Sequence, residues 1–76
     1  MKIYVNGEQE TIEDNVTLEE FLKTKRISKE DKGVAVALND DVVPNSDWSS
    51  KKLEEGARIE IVRAVQGGLT QRDYAG

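Results

Sequence analysis

The sequence predicts an α+β domain in which one main helix packs on one face of a mixed sheet of four to five strands. Three observations predict it: an alternating apolar pattern near the N terminus, one strong helix signal after it, and further alternating patterns in the second half. The chain has 76 residues and no cysteine. That length suits one small core, which packing alone must stabilise because disulfides are excluded.

The first element is predicted to be a β-hairpin. Ile3 and Val5 alternate with polar neighbours, which is the two-residue period of a half-buried strand. Asn6 and Gly7 follow, and both tolerate the positive φ that a tight primed turn requires. The second strand, residues 8–12, is highly polar, so we expect it at an edge of the sheet.

The main helix is predicted to begin after Thr17. A threonine followed three residues later by Glu20 is the capping-box pattern, and Val16 and Phe21 have the spacing of a hydrophobic staple. We expect a short helix of about ten residues whose apolar face covers the sheet.

The second half is predicted to contain two strands, a long connection and a last strand. Residues 34–38 alternate large and small apolar side chains, and a turn at residues 39–41 leads to a short strand that Pro44 ends. Trp48 is expected to anchor the connection in the core, and the last strand covers residues 58–65.

The order of these elements predicts the topology. A helix between an N-terminal hairpin and later strands implies a crossover, so the first and last strands would pair in parallel near the centre of the sheet. That arrangement is a ubiquitin-like β-grasp. We predict a β-grasp domain over residues 1–66 and a flexible C-terminal tail over residues 67–76, which holds Gly67, Gly68 and eight further residues.

The sheet face opposite the helix is predicted to carry a shallow apolar patch. If Ile59 faces the helix, the alternation of the strands turns four small apolar side chains to the other side: Ala35, Ala37, Val62 and Ala64. One interpretation is a docking site for a partner protein. The other is ordinary apolar surface, or surface beneath a loop.

Composition excludes several classes of function. Eleven basic residues against fifteen acidic ones, a net charge of −4, argue against nonspecific nucleic-acid binding. No apolar run resembles a signal peptide or a membrane span, so we expect a cytoplasmic protein. Without cysteine or histidine the usual nucleophile–base pairs and the commonest metal ligands are missing. We therefore expect no catalytic residue, bound metal or bound cofactor.

Several segments, taken in order and at their spacing, resemble the ThiS family of sulfur carriers in thiazole biosynthesis. They are VNGE at 5–8, GVAVALND at 33–40, VVP at 42–44, SDW at 46–48, LEEGARIEIV at 53–62 and RAVQGG at 63–68. The resemblance covers residues 1–68. Each segment is weakly specific alone, and the ordered set is what makes the resemblance specific.

The resemblance implies a carrier and not an enzyme. In that family an E1-like activating enzyme, ThiF, uses ATP to adenylate the carboxylate of the C-terminal glycine, which then becomes a thiocarboxylate. The sulfur comes ultimately from a cysteine desulfurase and passes to thiazole synthase, ThiG. By position, Gly68 would carry the thiocarboxylate, and Val65, Gln66 and Gly67 would form the carrier tail.

Two properties of the residues agree with this role. Glycine has no Cβ, so a diglycine segment passes through a narrow active site easily. Because the chain has no cysteine, sulfur cannot be carried as a side-chain persulfide. A bare Gly-Gly pair is otherwise typical of linkers and turns.

The chain departs from the family by continuing after Gly68 with LTQRDYAG, residues 69–76. Gly68 in a peptide bond has no free carboxylate, and eight extended residues would reach roughly 26 Å. Three explanations stay open: a peptidase removes the tail after Gly68, the tail is not native, or the protein serves as a binding module. The alternative functions are a carrier for molybdopterin or another pathway, and a ubiquitin-like interaction module without sulfur chemistry.

Overall fold

A computed structural model describes residues 1–63 of the chain. Five strands, one α-helix and one 3₁₀ helix occur in this part. In chain order they are β1 (Lys2–Val5), β2 (Glu8–Thr11), α1 (Leu18–Thr24), β3 (Val34–Leu38), β4 (Asp41–Val42), the 3₁₀ helix (Asn45–Ser50) and β5 (Arg58–Arg63).

The strands form one mixed sheet in the order β2-β1-β5-β3-β4. β1 and β5 pair in parallel, with Tyr4 opposite Arg58 and Val5 opposite Ile59. The remaining neighbours are antiparallel. The predicted β-grasp topology, with the first and last strands side by side inside the sheet, is thus confirmed. The predicted domain limit at residue 66 lies outside the described residues.

Two tight turns of the same kind connect the antiparallel strand pairs. Asn6 and Gly7 have φ values of 51° and 87°, and Asn39 and Asp40 have values of 52° and 76°. Two consecutive positive φ angles are typical of type I′ turns, whose twist matches that of the flanking strands. Both turns lie where the sequence predicts them, although the second needs only two residues and Asp41 already belongs to β4.

Helix α1 begins as predicted. The Thr17 hydroxyl accepts a hydrogen bond from the backbone N–H of Glu20 at 3.1 Å, and the Glu20 carboxylate accepts one from the N–H of Thr17 at 2.9 Å. These two bonds are the capping box.

The predicted helix length of about ten residues is wrong, because α1 has seven. Arg26 adopts a left-handed conformation with φ 63°. The N–H of Ile27 then donates to Leu22 O, and the N–H of Arg26 to Lys23 O, each at 3.0 Å. This is the Schellman pattern, normally built on glycine. It ends the helix early and returns the chain to the core at Ile27, which is 2% exposed.

The core lies between the sheet and a layer made of α1 and the 3₁₀ helix. Among the described residues its fully buried large side chains are Trp48, Ile3, Leu18, Leu22, Ile59 and Val36. Trp48 comes from the 3₁₀ helix and anchors it in the core as predicted. Within residues 1–63, no helix is both long enough and apolar enough to cross a lipid bilayer.

Candidate carrier site and docking surface

Strand pairing places three of the four predicted patch residues on one face of the sheet. Ala35 lies opposite Val62, and Ala37 lies opposite Glu60 on one side and Val42 on the other. Residues directly opposite each other in antiparallel strands share a face. Ala35, Ala37 and Val62 therefore lie together on the side that α1 leaves uncovered. The fourth predicted residue, Ala64, lies outside the described residues.

Val42 belongs to the same patch, and sequence reasoning missed it. Its side chain is 74% exposed, whereas the adjacent Val43 is 6% exposed. The two valines alternate across the sheet, so a buried Val43 turns Val42 to the open face. Alternation along Val42-Val43-Pro44 would have predicted an exposed Val42, but only if Val43 had been known to face the core. We call Ala35, Ala37, Val42 and Val62 the open-face patch.

Polar and charged side chains border this patch towards β1. Tyr4, which is 39% exposed, lies opposite Arg58 in the parallel pair. Arg58 forms an exposed ion pair of 2.7 Å with Asp40. Glu60 lies in the same cross-strand row as Ala37 and Val42. A small apolar centre with a charged border is the usual composition of a protein-docking surface.

The C-terminal part of β5 leads from this sheet toward the predicted carrier tail. On one side, β3 pairs with β5 as far as Val34 opposite Arg63. On the other side, the side chain of Asn6 bonds to the backbone of Ile61 through both its oxygen and its nitrogen. Val65, Gln66, Gly67 and Gly68 lie outside the described residues.

A cleft of about 450 Å³ lies beside the end of β5, between the first hairpin and the C-terminal end of α1. Its lining residues are Val5, Asn6, Glu8, Glu10, Lys25, Ile27, Ile61 and Arg63. Lys25 and Glu10 form an ion pair there at 2.7 Å, so their charges largely compensate each other. Within residues 1–63 no group of three or more carboxylates is arranged to hold a metal ion.

The pKa of one carboxyl group, at the N terminus of α1, is lowered by its hydrogen bonds. The hydrogen bond from the Thr17 backbone N–H lowers the pKa of the Glu20 carboxyl, and the Thr17 hydroxyl adds to the effect. Lys23 and Lys52 contribute in the same direction. Because the capping box accounts for this shift, it marks a structural feature and gives no indication of acid–base catalysis.

A β-grasp sheet with an apolar open face, whose last strand leads toward a diglycine segment, defines a ubiquitin-like protein. Comparison with known families is more specific. The chain belongs to the ThiS family, whose model matches residues 3–68. The resemblance predicted from the sequence is thereby confirmed. The matched region ends at Gly68, the second residue of the diglycine pair.

Similar proteins agree with this assignment. The sulfur carrier protein ThiS of Thermus thermophilus is 35% identical over 66 residues, which cover 87% of this chain and 98% of that protein. A solved structure of the thiamine biosynthesis protein ThiS from Geobacter metallireducens superposes with a TM-score of 0.75. It covers 90% of this chain and 100% of that one at 23% identity, and so supports the fold.

A thiazole synthase from Paramagnetospirillum magneticum is also similar. It is 32% identical over 73 residues, which cover 96% of this chain and 22% of that protein. The chain therefore spans about a fifth of the length of that relative. Because 73 of the 76 residues take part in the alignment, the similarity continues beyond Gly68 into the segment 69–76.

Proposed function

We propose that this chain is a sulfur carrier of thiamin biosynthesis, and that the carboxylate of Gly68 carries the sulfur. The observation that supports this most directly is that the ThiS family match ends at Gly68. The described fold agrees, because β5 is the central strand of the sheet and extends to Arg63, five residues before that glycine. In this proposal the chain contributes a positioned main-chain terminus and no catalytic group.

The peptide bond between Gly68 and Leu69 must be broken before the carrier can work. We propose that a peptidase hydrolyses it, which consumes one water and leaves a Gly68 carboxylate and a free amine on Leu69. The similarity to thiazole synthase past Gly68 supports the segment 69–76 as part of the natural sequence.

Activation then proceeds on a separate enzyme. A ThiF-type, E1-like enzyme transfers AMP from ATP to the Gly68 carboxylate and releases pyrophosphate. A sulfide equivalent, supplied ultimately by a cysteine desulfurase, attacks the acyl carbon and displaces AMP, which leaves a thiocarboxylate. Because the chain contains no cysteine, the main-chain terminus is the group on which this sulfur is carried.

We propose that the activating enzyme docks on the open-face patch. The patch is apolar, it includes the 74%-exposed Val42, and it shares β5 with the start of the tail. The five residues that follow Arg63, ending at Gly68, span at most about 18 Å. An enzyme that holds the open face therefore has its active site within a short reach of the carrier glycine.

We propose thiazole synthase as the acceptor of the sulfur. The support is the similarity to a thiazole synthase in which the matched region is 22% of a longer protein. Covalent attachment of a carrier-like region to an enzyme raises its effective concentration at that enzyme. A molybdopterin-type acceptor has no comparable support.

The test uses the chain truncated after Gly68, the full chain, and a matched control truncated after Gly67. Each is incubated with a ThiF-type enzyme, ATP and a sulfur donor, and its intact mass is recorded. We expect replacement of one oxygen by sulfur in the first form alone. Failure of the Gly68-ending form to gain sulfur contradicts the carrier function. Sulfur on the intact full chain contradicts the assignment to Gly68.

A further inference from the structure

The two sides of β5 are supported unequally at the end that leads to the tail. The whole of β3 pairs with β5, from Leu38 opposite Ile59 to Val34 opposite Arg63. β1 pairs with β5 only as far as Val5 opposite Ile59, because the chain then turns away at Asn6. The backbone of Ile61 consequently has no strand partner on the β1 side.

The side chain of Asn6 takes the place of that missing partner. The backbone N–H of Asn6 donates to Ile59 O at 2.8 Å, as the last regular bond of the parallel ladder. Beyond it, Asn6 Oδ1 accepts a bond from the N–H of Ile61 at 2.8 Å, and Asn6 Nδ2 donates to Ile61 O at 3.3 Å. A carboxamide has the donor and acceptor of a peptide group, so it extends the ladder by one position.

Asparagine meets two requirements at this position. Its φ of 51° is tolerated by asparagine, aspartate and glycine far better than by other residues. Of these three, glycine has no side chain to bond Ile61, and aspartate lacks the N–H that donates to Ile61 O. Asparagine alone turns the chain and braces β5.

We propose that Asn6 is a positioning residue for the carrier tail. This inference rests on the proposed function, since it concerns how Gly68 is presented to the activating enzyme. Asn6 holds the β1 side of β5 at Ile61, two residues before the described part of the chain ends at Arg63. Bracing at Ile61 restricts the motion of β5 up to Arg63, the residue from which the tail continues. This chain then loses less conformational freedom when the activating enzyme binds its tail.

The other end of β5 provides a matched control. Asn39 also begins a tight turn, with φ 52°. Its Oδ1 accepts a bond from the N–H of Arg58 at 2.9 Å, and its own N–H donates to Arg58 O at 2.7 Å. Asn6 and Asn39 thus make similar contacts to the same strand, one near the tail and one at the opposite end.

The experiment compares Asn6→Gly and Asn39→Gly in the chain truncated after Gly68. Glycine keeps each turn and removes only the side-chain bonds. Hydrogen exchange measures the exchange rates of the Ile61 and Arg58 amides. Pyrophosphate release measures KM and kcat for adenylation. We expect Asn6→Gly, which loses both side-chain bonds to Ile61, to speed exchange at Ile61 and to raise KM about fivefold, while kcat stays the same.

Asn39→Gly is expected to speed exchange at Arg58 and to leave KM unchanged. Asn6→Asp restores the acceptor for Ile61 N–H, so its KM is expected between those of the parent and Asn6→Gly. Equal rises of KM in the two glycine variants overturn the proposal, because they indicate a general loss of stability. Unchanged exchange at Ile61 in Asn6→Gly also overturns it.

A wrong carrier assignment would give a different outcome in the same experiment. If the parent chain ending at Gly68 is not adenylated, the carrier assignment is wrong and the role of Asn6 in presenting Gly68 falls with it. The exchange rate of the Ile61 amide still shows whether Asn6 braces β5.

Discussion

The indole Nε1–H of Trp48 donates a hydrogen bond of 3.0 Å to the backbone carbonyl of Val43. Both residues are buried, at 2% and 6% exposure. This bond links the 3₁₀ helix to the segment that follows β4. It also gives the indole N–H of the largest core side chain a hydrogen-bond acceptor. Buried tryptophans are generally placed where the indole N–H can reach an acceptor.

Replacing Trp48 by phenylalanine is expected to destabilise the domain by about 2–4 kcal/mol. The smaller ring leaves unfilled volume, and the carbonyl of Val43 loses its buried donor. Urea unfolding followed by circular dichroism measures the change in the free energy of unfolding. A loss below about 0.5 kcal/mol, the lower end of the net contribution of one hydrogen bond, would contradict both causes.

Thr17→Ala is expected to lower the free energy of unfolding by about 1 kcal/mol, the usual contribution of an N-cap side chain. Alanine removes the oxygen that accepts the bond from Glu20 N–H. Thr17→Ser is the matched control, because serine keeps that acceptor and should retain most of the stability. Similar losses in both variants would assign the effect to the threonine methyl group and not to the cap.

Glu20 gives this cap a dependence on pH. Its pKa is lowered from the ordinary value of 4.5, first by the bond from Thr17 N–H. A lowered folded-state pKa stabilises the fold above the pKa of the unfolded chain, and that stability is lost as the pH falls through the folded-state pKa. The stability of the parent chain is therefore expected to fall in acid more steeply than that of Glu20→Gln.

Urea midpoints measured from neutral pH to below 4.5, the unshifted value, test this expectation. Glu19→Gln serves as the control, since it removes a carboxylate from the same turn without touching the Thr17 bonds. Parallel acid profiles for the parent and Glu20→Gln would contradict the assigned role of the Thr17 bond.

Val42→Asp is expected to raise the KM for the activating enzyme at least tenfold. The side chain is already exposed, so the fold tolerates the change, but a docked partner would bury an unpaired charge. Ser49→Asp is the control, because it adds the same charge at an exposed position of the 3₁₀ helix, on the opposite side of the sheet from the patch. Equal effects of the two substitutions would show that net charge, and not the open-face patch, governs recognition.

Local patterns in the sequence were sufficient for the elements and their order. The turn at Asn6 and the cap at Thr17 each depend on residues close together in the chain, so short motifs predicted both. The end of α1 was missed because the left-handed residue is Arg26 and not glycine. Burial of Ile27 in the core stabilises the fold by more than the left-handed conformation of Arg26 costs. No local sequence motif predicts this difference in free energy.

The candidate site was predictable in part, for a similar reason. Strand alternation placed Ala35, Ala37 and Val62 on one face, but Val42 depended on which of two adjacent valines is buried. The bonds between Asn6 and Ile61 join residues 55 positions apart. Such a contact exists only once β1 and β5 are paired, so no pattern along the chain could indicate it.

The parallel pairing of β1 with β5 also governs how the domain can assemble. β1 is synthesised before the other four strands of the described sheet, yet its neighbour inside that sheet is β5, which is synthesised after the other four. Until β5 emerges from the ribosome, β1 and β3 each expose an unsatisfied edge to other chains. Closing so long a loop late in assembly slows folding compared with a helical domain of equal size. We therefore expect aggregation of the nascent chain to compete with folding until β5 pairs with β1 and β3.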